Sequence, residues 1–189
     1  QQRDQVLDGI DISETIKKMV DRNIEENVAN YFSGDSKEDW NVDGLREKYK
    51  GWAGLATDDD FTDLEALTAE DATELLQKRA ADILDRKRED IGDDLFLELE
   101  RMVLLRNVDT YWMDHIDAMD DLKKGIHLRS YAQRDPVVAY RMESYDMFDE
   151  MTAAIREDTA RDMIILIPRH KTDVQRRAVA RITSTSSEE

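Results

Sequence analysis

The chain has 189 residues, with 27 Lys and Arg against 44 Asp and Glu, and therefore a formal net charge of −17. This acidity argues against nucleic acid as a partner, since phosphate binding requires a basic surface. The chain contains no cysteine, which excludes disulfides and thiolate metal sites and suits a reducing cytosol. The sequence contains no run of about 18 apolar residues that could cross a membrane, and it shows no secretory signal.

Long helices are expected, because only 7 Gly and 2 Pro interrupt the chain. Residues 1–7 are expected to lie inside a helix that Gly9 interrupts. The helix that follows is predicted to have Asp11 or Ser13 as its N-cap and to end near Ser33 and Gly34. Its apolar face recurs at steps of three and four residues and consists of Ile12, Ile16, Met19 or Val20, Ile24, Val28 and Tyr31. No segment alternates with a period of two, so we expect no strands and an all-α fold.

Residues 35–61 predict short helices and loops, because several glycines and the acidic run 58–60 break any long pattern. A small core is expected there, filled by Trp40, Leu45, Tyr49, Trp52 and Leu55. We interpret the acidic run as a solvated turn, since a calcium loop needs more oxygen ligands at set positions.

A capping-box pattern marks the start of the next helix. Thr68 and Asp71 have the spacing of such a box, which satisfies two backbone groups of a first helical turn. The amphipathic helix that follows is predicted to end near Gly92.

The strongest pattern covers residues 93–167 and predicts two helices. The apolar stripe of the first consists of Leu95, Leu99, Met102, Leu105, Val108, Trp112, His115 or Ile116, Met119 and Leu122. Lys123 and Lys124 suit a last helical turn, and Gly125 is expected to end the helix. Asp135 and Pro136 predict the N-cap and first residue of the second helix. Its stripe consists of Val137, Tyr140 or Arg141, Tyr145, Phe148, Met151, Ile155, Thr159, Met163 and Leu166.

Two such stripes with a link of about ten residues predict a long antiparallel helical hairpin. Each helix would have roughly thirty residues and a length of about 45 Å. The candidates for packing that stiffens the hairpin are Trp112, His115, Met119, Tyr145 and Phe148.

The predicted hairpin tip, residues 125–134, combines apolar and aromatic side chains with basic ones. We expect Ile126 and Leu128 to fold back over the hairpin. Tyr131 is the better candidate for an outward contact, because its ring offers a broad apolar face and a hydroxyl at little cost in entropy. The surrounding basic residues are Lys123, Lys124, Arg129 and Arg134.

The motifs of common catalytic sites are not found in this sequence. It contains no phosphate-binding loop, no dinucleotide fingerprint and no zinc-protease motif. Its histidines, His115, His127 and His170, lack the spacing of metal ligands. We therefore expect that this chain is not itself an enzyme and binds no cofactor or metal.

Three stretches of the predicted hairpin resemble the SecA family, the ATPase motors of bacterial preprotein translocation. They read DTYWMDHIDAMD at 109–120, GIHLRSYAQRDP at 125–136 and ESYDMF at 143–148. A weaker similarity extends over about residues 1–169 and corresponds to the C-terminal region of the family, in which a helical wing interrupts a helical scaffold.

The resemblance implies a division of the chain into four parts. Residues 1–31 would be the end of the long scaffold helix, and residues 32–92 would be a small helical wing subdomain. Residues 93–168 would form the two-helix finger, and residues 169–189 would begin a C-terminal linker that is expected to be disordered.

The resemblance also implies that this chain is a non-catalytic part of a larger motor. The finger would enter the SecYEG channel, contact the translocating preprotein and restrain ATP hydrolysis. Tyr131 matches the tip aromatic of the family, and Ile126, Leu128 and Arg129 lie beside it. ATP and Mg would bind to nucleotide-binding domains of the same protein. The motor would be cytoplasmic and peripheral at the inner face of the plasma membrane, and exposed apolar faces could pair in a homodimer.

Two other functions stay open at this point. The chain could be a regulatory module that only inhibits an ATPase, in which case no substrate would crosslink to the hairpin tip. It could also be an unrelated acidic helical adaptor for one protein partner, an alternative that the run of family motifs at 107–148 disfavours.

Overall fold

A computed structural model describes residues 12–34, 36–129 and 135–167, and of residues 127–129 it describes the backbone alone. Within these ranges the chain folds into five α-helices and one short 3₁₀-helix, with no strand. The predicted all-α class is therefore confirmed. The helices are α1 (Ser13–Tyr31), the 3₁₀-helix Lys37–Asp39, α2 (Val42–Lys50), α3 (Ala69–Ile91), α4 (Asp93–Arg129) and α5 (Pro136–Ile165).

The starts of α1 and α3 differ in how they are capped. Thr68 caps α3 as the pattern predicted: its Oγ1 accepts a hydrogen bond from Asp71 N at 3.0 Å, and its hydroxyl donates to Asp71 Oδ2 at 2.6 Å. Ile12 lies at the N-cap position of α1 without a side-chain bond, so the prediction of Ser13 as the cap is wrong. The other predicted cap, Asp11, lies outside the described residues. Ser13 instead donates its hydroxyl to Glu100 Oε2 at 2.6 Å, because the packing of α4 beside α1 offers it a buried carboxylate.

The buried apolar side chains form two clusters, and α1 contributes to both. The small-helix core joins α1, α2 and α3 and includes Val20, Ile24, Val28, Leu45, Tyr49, Trp52, Leu55, Leu76 and, from α5, Ala160 and Ile164. The hairpin-base core consists of Ile12, Ile16, Phe96, Leu99, Val103, Leu104, Met151, Ile155 and Met163. Helix α1 thus ties the small helices to the base of the hairpin.

The predicted small core is largely as expected. Leu45, Tyr49, Trp52 and Leu55 are buried. Trp40 is half-buried and stacks on Phe32, with 4.5 Å between the ring centroids. The aromatic pair closes the end of this core where the chain leaves α1.

The acidic run 58–60 is partly incorporated into an ion-pair network. Asp60 accepts hydrogen bonds from Arg79 Nη2 at 2.8 Å and from the other terminal nitrogen of Arg79, and it also accepts one from Thr57 N at 2.6 Å. The interpretation of a solvated turn is therefore wrong for Asp60, whose side chain is nearly buried. The hydrogen bond from Arg79 lowers the pKa of Asp60 to about 2.

We expect Asp60→Asn to lower the free energy of unfolding by about 2 kcal/mol at pH 7, since one pKa unit is worth about 1.4 kcal/mol. The stabilisation is complete above the ordinary pKa of 3.8 and is lost as the pH falls from there through about 2. Urea unfolding of both proteins at pH 7 and pH 3 measures this effect. Asp59→Asn, at the exposed neighbour, is the control, and an equal loss in the two variants would contradict the prediction.

Helices α4 and α5 form the predicted antiparallel hairpin, but α4 is longer than predicted. The expectation that it ends at Gly125 is wrong, because the helix continues to Arg129 and has 37 residues. A glycine inside a helix costs only about 1 kcal/mol relative to alanine, and no proline follows Gly125 for several residues. Asp135 caps α5 as predicted, since its Oδ1 accepts a hydrogen bond from Val137 N at 2.9 Å.

The buried face of α4 is rotated from the predicted stripe by one residue near its start. Leu95 and Met102 were expected to be buried but are exposed, whereas Phe96 and Val103 are buried. The sequence here contains consecutive apolar residues, so two neighbouring faces of the helix fit the same spacing of three and four residues. Contacts with α1, α3 and α5 together decide which of these faces is buried.

Candidate functional site

The base of the hairpin is held by polar contacts between α4 and α5, which we call the polar ladder. Arg106 Nη2 donates to Asp162 Oδ2 at 2.6 Å, and Asn107 Nδ2 donates to the same oxygen at 3.1 Å. Asn107 Nδ2 also lies 3.4 Å from Thr159 Oγ1. Asn107, Thr159 and Asp162 are all buried. Because an unpaired buried polar group is costly, these contacts favour a single register between the two helices.

One turn further along, the polar ladder continues at the side of the hairpin. The Tyr111 hydroxyl donates to Asp158 Oδ2, and Arg161 Nη2 lies 2.8 Å from Asp158 Oδ1. The hydrogen bond to Asp158 raises the pKa of Tyr111 to about 12. The phenol therefore stays protonated at neutral pH and remains a donor.

Glu157 lies where α5 meets α1 and α2, and we call this cluster the Glu157 junction. Its Oε1 accepts a hydrogen bond from Lys48 Nζ at 2.6 Å. Its Oε2 accepts one from Asn23 Nδ2, and Asn27 Nδ2 lies 3.4 Å from it. Burial alone would raise the pKa of Glu157, but the hydrogen bonds from Lys48 and Asn23 outweigh it and hold the pKa below 4.5. A single carboxylate thus links three helices.

Helix α3 contacts the C-terminal end of α5 through Lys87. Lys87 Nζ donates hydrogen bonds to the carbonyl oxygens of Met163 and Ile164, the latter at 3.2 Å. Burial lowers the pKa of Lys87 to about 8. The charged form at neutral pH complements the negative end of the helix dipole, and the contact fixes the end of α5.

The half of the hairpin away from this base exposes many large apolar side chains. We call this set the distal apolar surface; it consists of Trp112, Met113, Ile116, Val137, Val138, Met142, Tyr145 and Phe148. Single exposed apolar residues are normal on soluble proteins, but a concentration of this kind is typical of a contact surface. Buried contacts therefore hold the base, whereas the distal half leaves large apolar side chains exposed.

Exposed carboxylates lie on the same half of the hairpin as the distal apolar surface. They are Asp109, Asp114, Asp117, Asp120 and Asp121 on α4 and Asp146, Asp149 and Glu150 on α5. Charged side chains among exposed apolar ones keep such a surface soluble while it is uncovered. Carboxylates there also favour partners that carry basic groups beside an apolar segment.

The residues predicted to stiffen the hairpin lie in its distal half. His115 is half-buried between the rings of Trp112 and Phe148, with centroid distances of 6.1 and 6.0 Å. This contact joins the two helices. Met119 is half-buried, and Tyr145 is 66% exposed, so most of the Tyr145 ring does not pack in the hairpin.

The residues predicted to contact a partner at the tip are only partly described. Ile126 is 6% exposed, and its side chain is packed. Leu128 and Arg129 lie in the last turn of α4, where the backbone alone is described. Tyr131 lies outside the described residues.

Sequence reasoning missed the groups that hold the hairpin in place. Asn107, Asp162 and Glu157 were not singled out, although a polar residue within or beside an apolar stripe is a signal of a buried polar contact. The exposed Val138 and Met142 lie off the predicted stripe of α5. Apolar residues on a second face of a helix could have predicted a second contact surface.

Neither a metal-ligand cluster nor a membrane-spanning helix is found among the described residues. No cluster of His, Asp and Glu in these ranges is arranged to hold a metal. None of the helices in the described part of the chain is both long and apolar enough to cross a bilayer.

The five α-helices of the described residues include a long hairpin whose distal half exposes apolar side chains, and together they define a helical scaffold. The chain belongs to the SecA family: the SecA Wing and Scaffold domain matches residues 1–166. It is 37% identical over 188 residues to the protein translocase subunit SecA of Finegoldia magna, which covers 100% of this chain and 20% of that protein. It is 38% identical over 186 residues to the protein translocase subunit SecA 1 of Clostridioides difficile, with 98% and 20% covered. The chain therefore spans about a fifth of the length of these relatives.

Proposed function

We propose that this chain is the wing and C-terminal scaffold portion of a protein-translocating ATPase and that it contributes no catalytic residue. The observation that carries the proposal is the contrast between the two halves of the hairpin. The polar ladder and the hairpin-base core fix one half, while the distal apolar surface leaves the other half free to bind. Such a hairpin transmits a movement of its base to a partner at its far end.

The division of the chain follows from the same proposal. Residues 1–31 end the scaffold helix, residues 32–92 form the wing, residues 93–168 form the finger and residues 169–189 begin the linker. Helix α1 lies in the first part, α2 and α3 lie in the second, and the hairpin lies in the third. The shared cores support a fixed wing, because α1 and α5 both contribute to the small-helix core.

The finger is proposed to enter the SecYEG channel and to contact the translocating preprotein. Tyr131 would make the central contact, and Ile126, Leu128 and Arg129 would support it.

In the resting motor the finger would restrain ATP hydrolysis. ATP and Mg would be held by nucleotide-binding domains of the same protein. The motor would act in the cytoplasm, at the inner face of the plasma membrane, and pairing of two distal apolar surfaces would give a homodimer.

We expect Tyr131→Ala in the full-length protein to reduce ATP-driven preprotein translocation by about tenfold, which is the effect of losing one aromatic anchor at an interface. Tyr131→Phe keeps the ring and is expected to retain most of the rate. Translocation into SecYEG vesicles and ATP hydrolysis are measured on the same preparations. Normal translocation by Tyr131→Ala would contradict the proposed contact. A change in ATP hydrolysis alone would favour a purely inhibitory module.

A further inference from the structure

Methionine is concentrated on the hairpin. Every methionine except Met19 lies on α4 or α5, and the chain has no cysteine, so these thioethers are its main oxidisable sulfur atoms. Their exposure is graded. Met113 and Met142 are 58% and 59% exposed, whereas Met151 and Met163 in the hairpin-base core are 8% and 0% exposed. The hairpin therefore combines accessible and protected thioethers in one fold.

Two of the accessible thioethers belong to the distal apolar surface. Met113 lies between Trp112 and Ile116 in the sequence of α4, and Met142 lies one helical turn from Val138 and nearly one from Tyr145 on α5. Met102 is also exposed, at 54%, but it lies about 16 Å along α4 from Met113, toward the base. The chain thus provides an exposed methionine outside the surface for comparison.

We propose that Met113 and Met142 are peroxide modification sites that control binding by the distal apolar surface. The thioether sulfur attacks one oxygen of hydrogen peroxide, the O–O bond breaks, and methionine sulfoxide and water are the products. The sulfur loses two electrons, which reduce the peroxide. Methionine sulfoxide reductases reverse the change. The accessible sulfur atoms react, whereas those in the hairpin-base core are shielded.

The modification changes the chemistry of the surface without unfolding the hairpin. A sulfoxide is polar and accepts strong hydrogen bonds from water, so covering it with an apolar partner becomes costly. The buried residues that hold the base are untouched, and the register of α4 and α5 is retained. This control of binding rests on the proposed function, in which the distal surface contacts a partner during translocation.

The test exposes the full-length protein to hydrogen peroxide and maps sulfoxide by mass spectrometry of its peptides. Met113 and Met142 are expected to oxidise at least about tenfold faster than Met151 and Met163. Translocation is measured before and after treatment for wild type, Met113→Leu/Met142→Leu and the control Met102→Leu. Leucine has nearly the volume of methionine and lacks the sulfur. Each rate is expressed relative to that of the same protein before treatment.

The double variant is expected to keep most of its rate after peroxide, whereas wild type and Met102→Leu lose theirs in parallel. The proposal is overturned if Met113 and Met142 oxidise no faster than Met163, or if the double variant loses as much of its rate as wild type. Failure of the proposed function would give a different experimental result. Untreated wild-type protein would then not translocate, and the order of oxidation would still decide whether these methionines are the modification sites.

Discussion

Asp162→Ala is expected to lower the free energy of unfolding by about 3 kcal/mol, the loss typical of a buried ionic partner that is removed from its network. Asp162 accepts hydrogen bonds from Arg106 and Asn107 in the polar ladder. Arg106 is half-exposed and regains water, but the Asn107 amide is buried and keeps only the longer contact with Thr159. Urea unfolding followed by circular dichroism measures the change.

Two further variants separate charge from hydrogen bonding at this position. Asp162→Asn keeps an acceptor for Asn107 and is expected to lose only about 1 kcal/mol. The double variant Asn107→Leu/Asp162→Leu removes donor and acceptor together, and it should recover most of the stability lost in Asp162→Ala. A double variant less stable than Asp162→Ala would show that the polar ladder does not act as a unit. Recovered stability with slower translocation would indicate that the ladder fixes the helix register that the motor needs.

Glu157→Ala is expected to lower the free energy of unfolding by about 3 kcal/mol, because Lys48 and the buried Asn23 lose their shared acceptor. The double-mutant cycle with Lys48→Met should give a coupling energy above about 1 kcal/mol. Amide hydrogen exchange should show lost protection in α2 while the distal half of α4 is unchanged. Glu150→Ala, at an exposed carboxylate of the same helix, is the control and should have little effect.

The contribution of Glu157 also depends on pH. Its pKa is held below the ordinary 4.5, so the stabilisation is complete above that value and is lost as the pH falls through the lower pKa of the folded state. Wild type and Glu157→Ala should therefore converge in stability in acid. A difference between them that stays constant from neutral pH to pH 2 would show that the carboxylate charge is not what joins the three helices.

These two predictions bear on how the hairpin works. In the proposed motor, release of α5 at the Glu157 junction would let the base of the hairpin shift relative to α1, and a movement of the scaffold would no longer reach the distal half in full. Loss of the polar ladder instead permits α4 and α5 to slide past each other. Both variants should therefore reduce the coupling of ATP hydrolysis to translocation more than they reduce ATP hydrolysis itself.

Local sequence determined the elements of this protein. Apolar spacing and side-chain caps predicted the helices, and the caps at Thr68 and Asp135 set two helix starts through residues next to each other in the sequence. The same patterns predicted the buried face of α1 and most of the small core. These features follow from interactions between residues a few positions apart, which a single sequence displays directly.

Tertiary structure alone decided how those elements are held together. The buried face of α4 near Phe96 and the choice of Asp60 as the partner of Arg79 depend on neighbours that are distant in sequence. The Glu157 junction joins residues more than a hundred positions apart, and no local pattern encodes such a contact. The distal apolar surface is likewise visible only when packing has shown which apolar residues are left uncovered, because exposure depends on the whole fold.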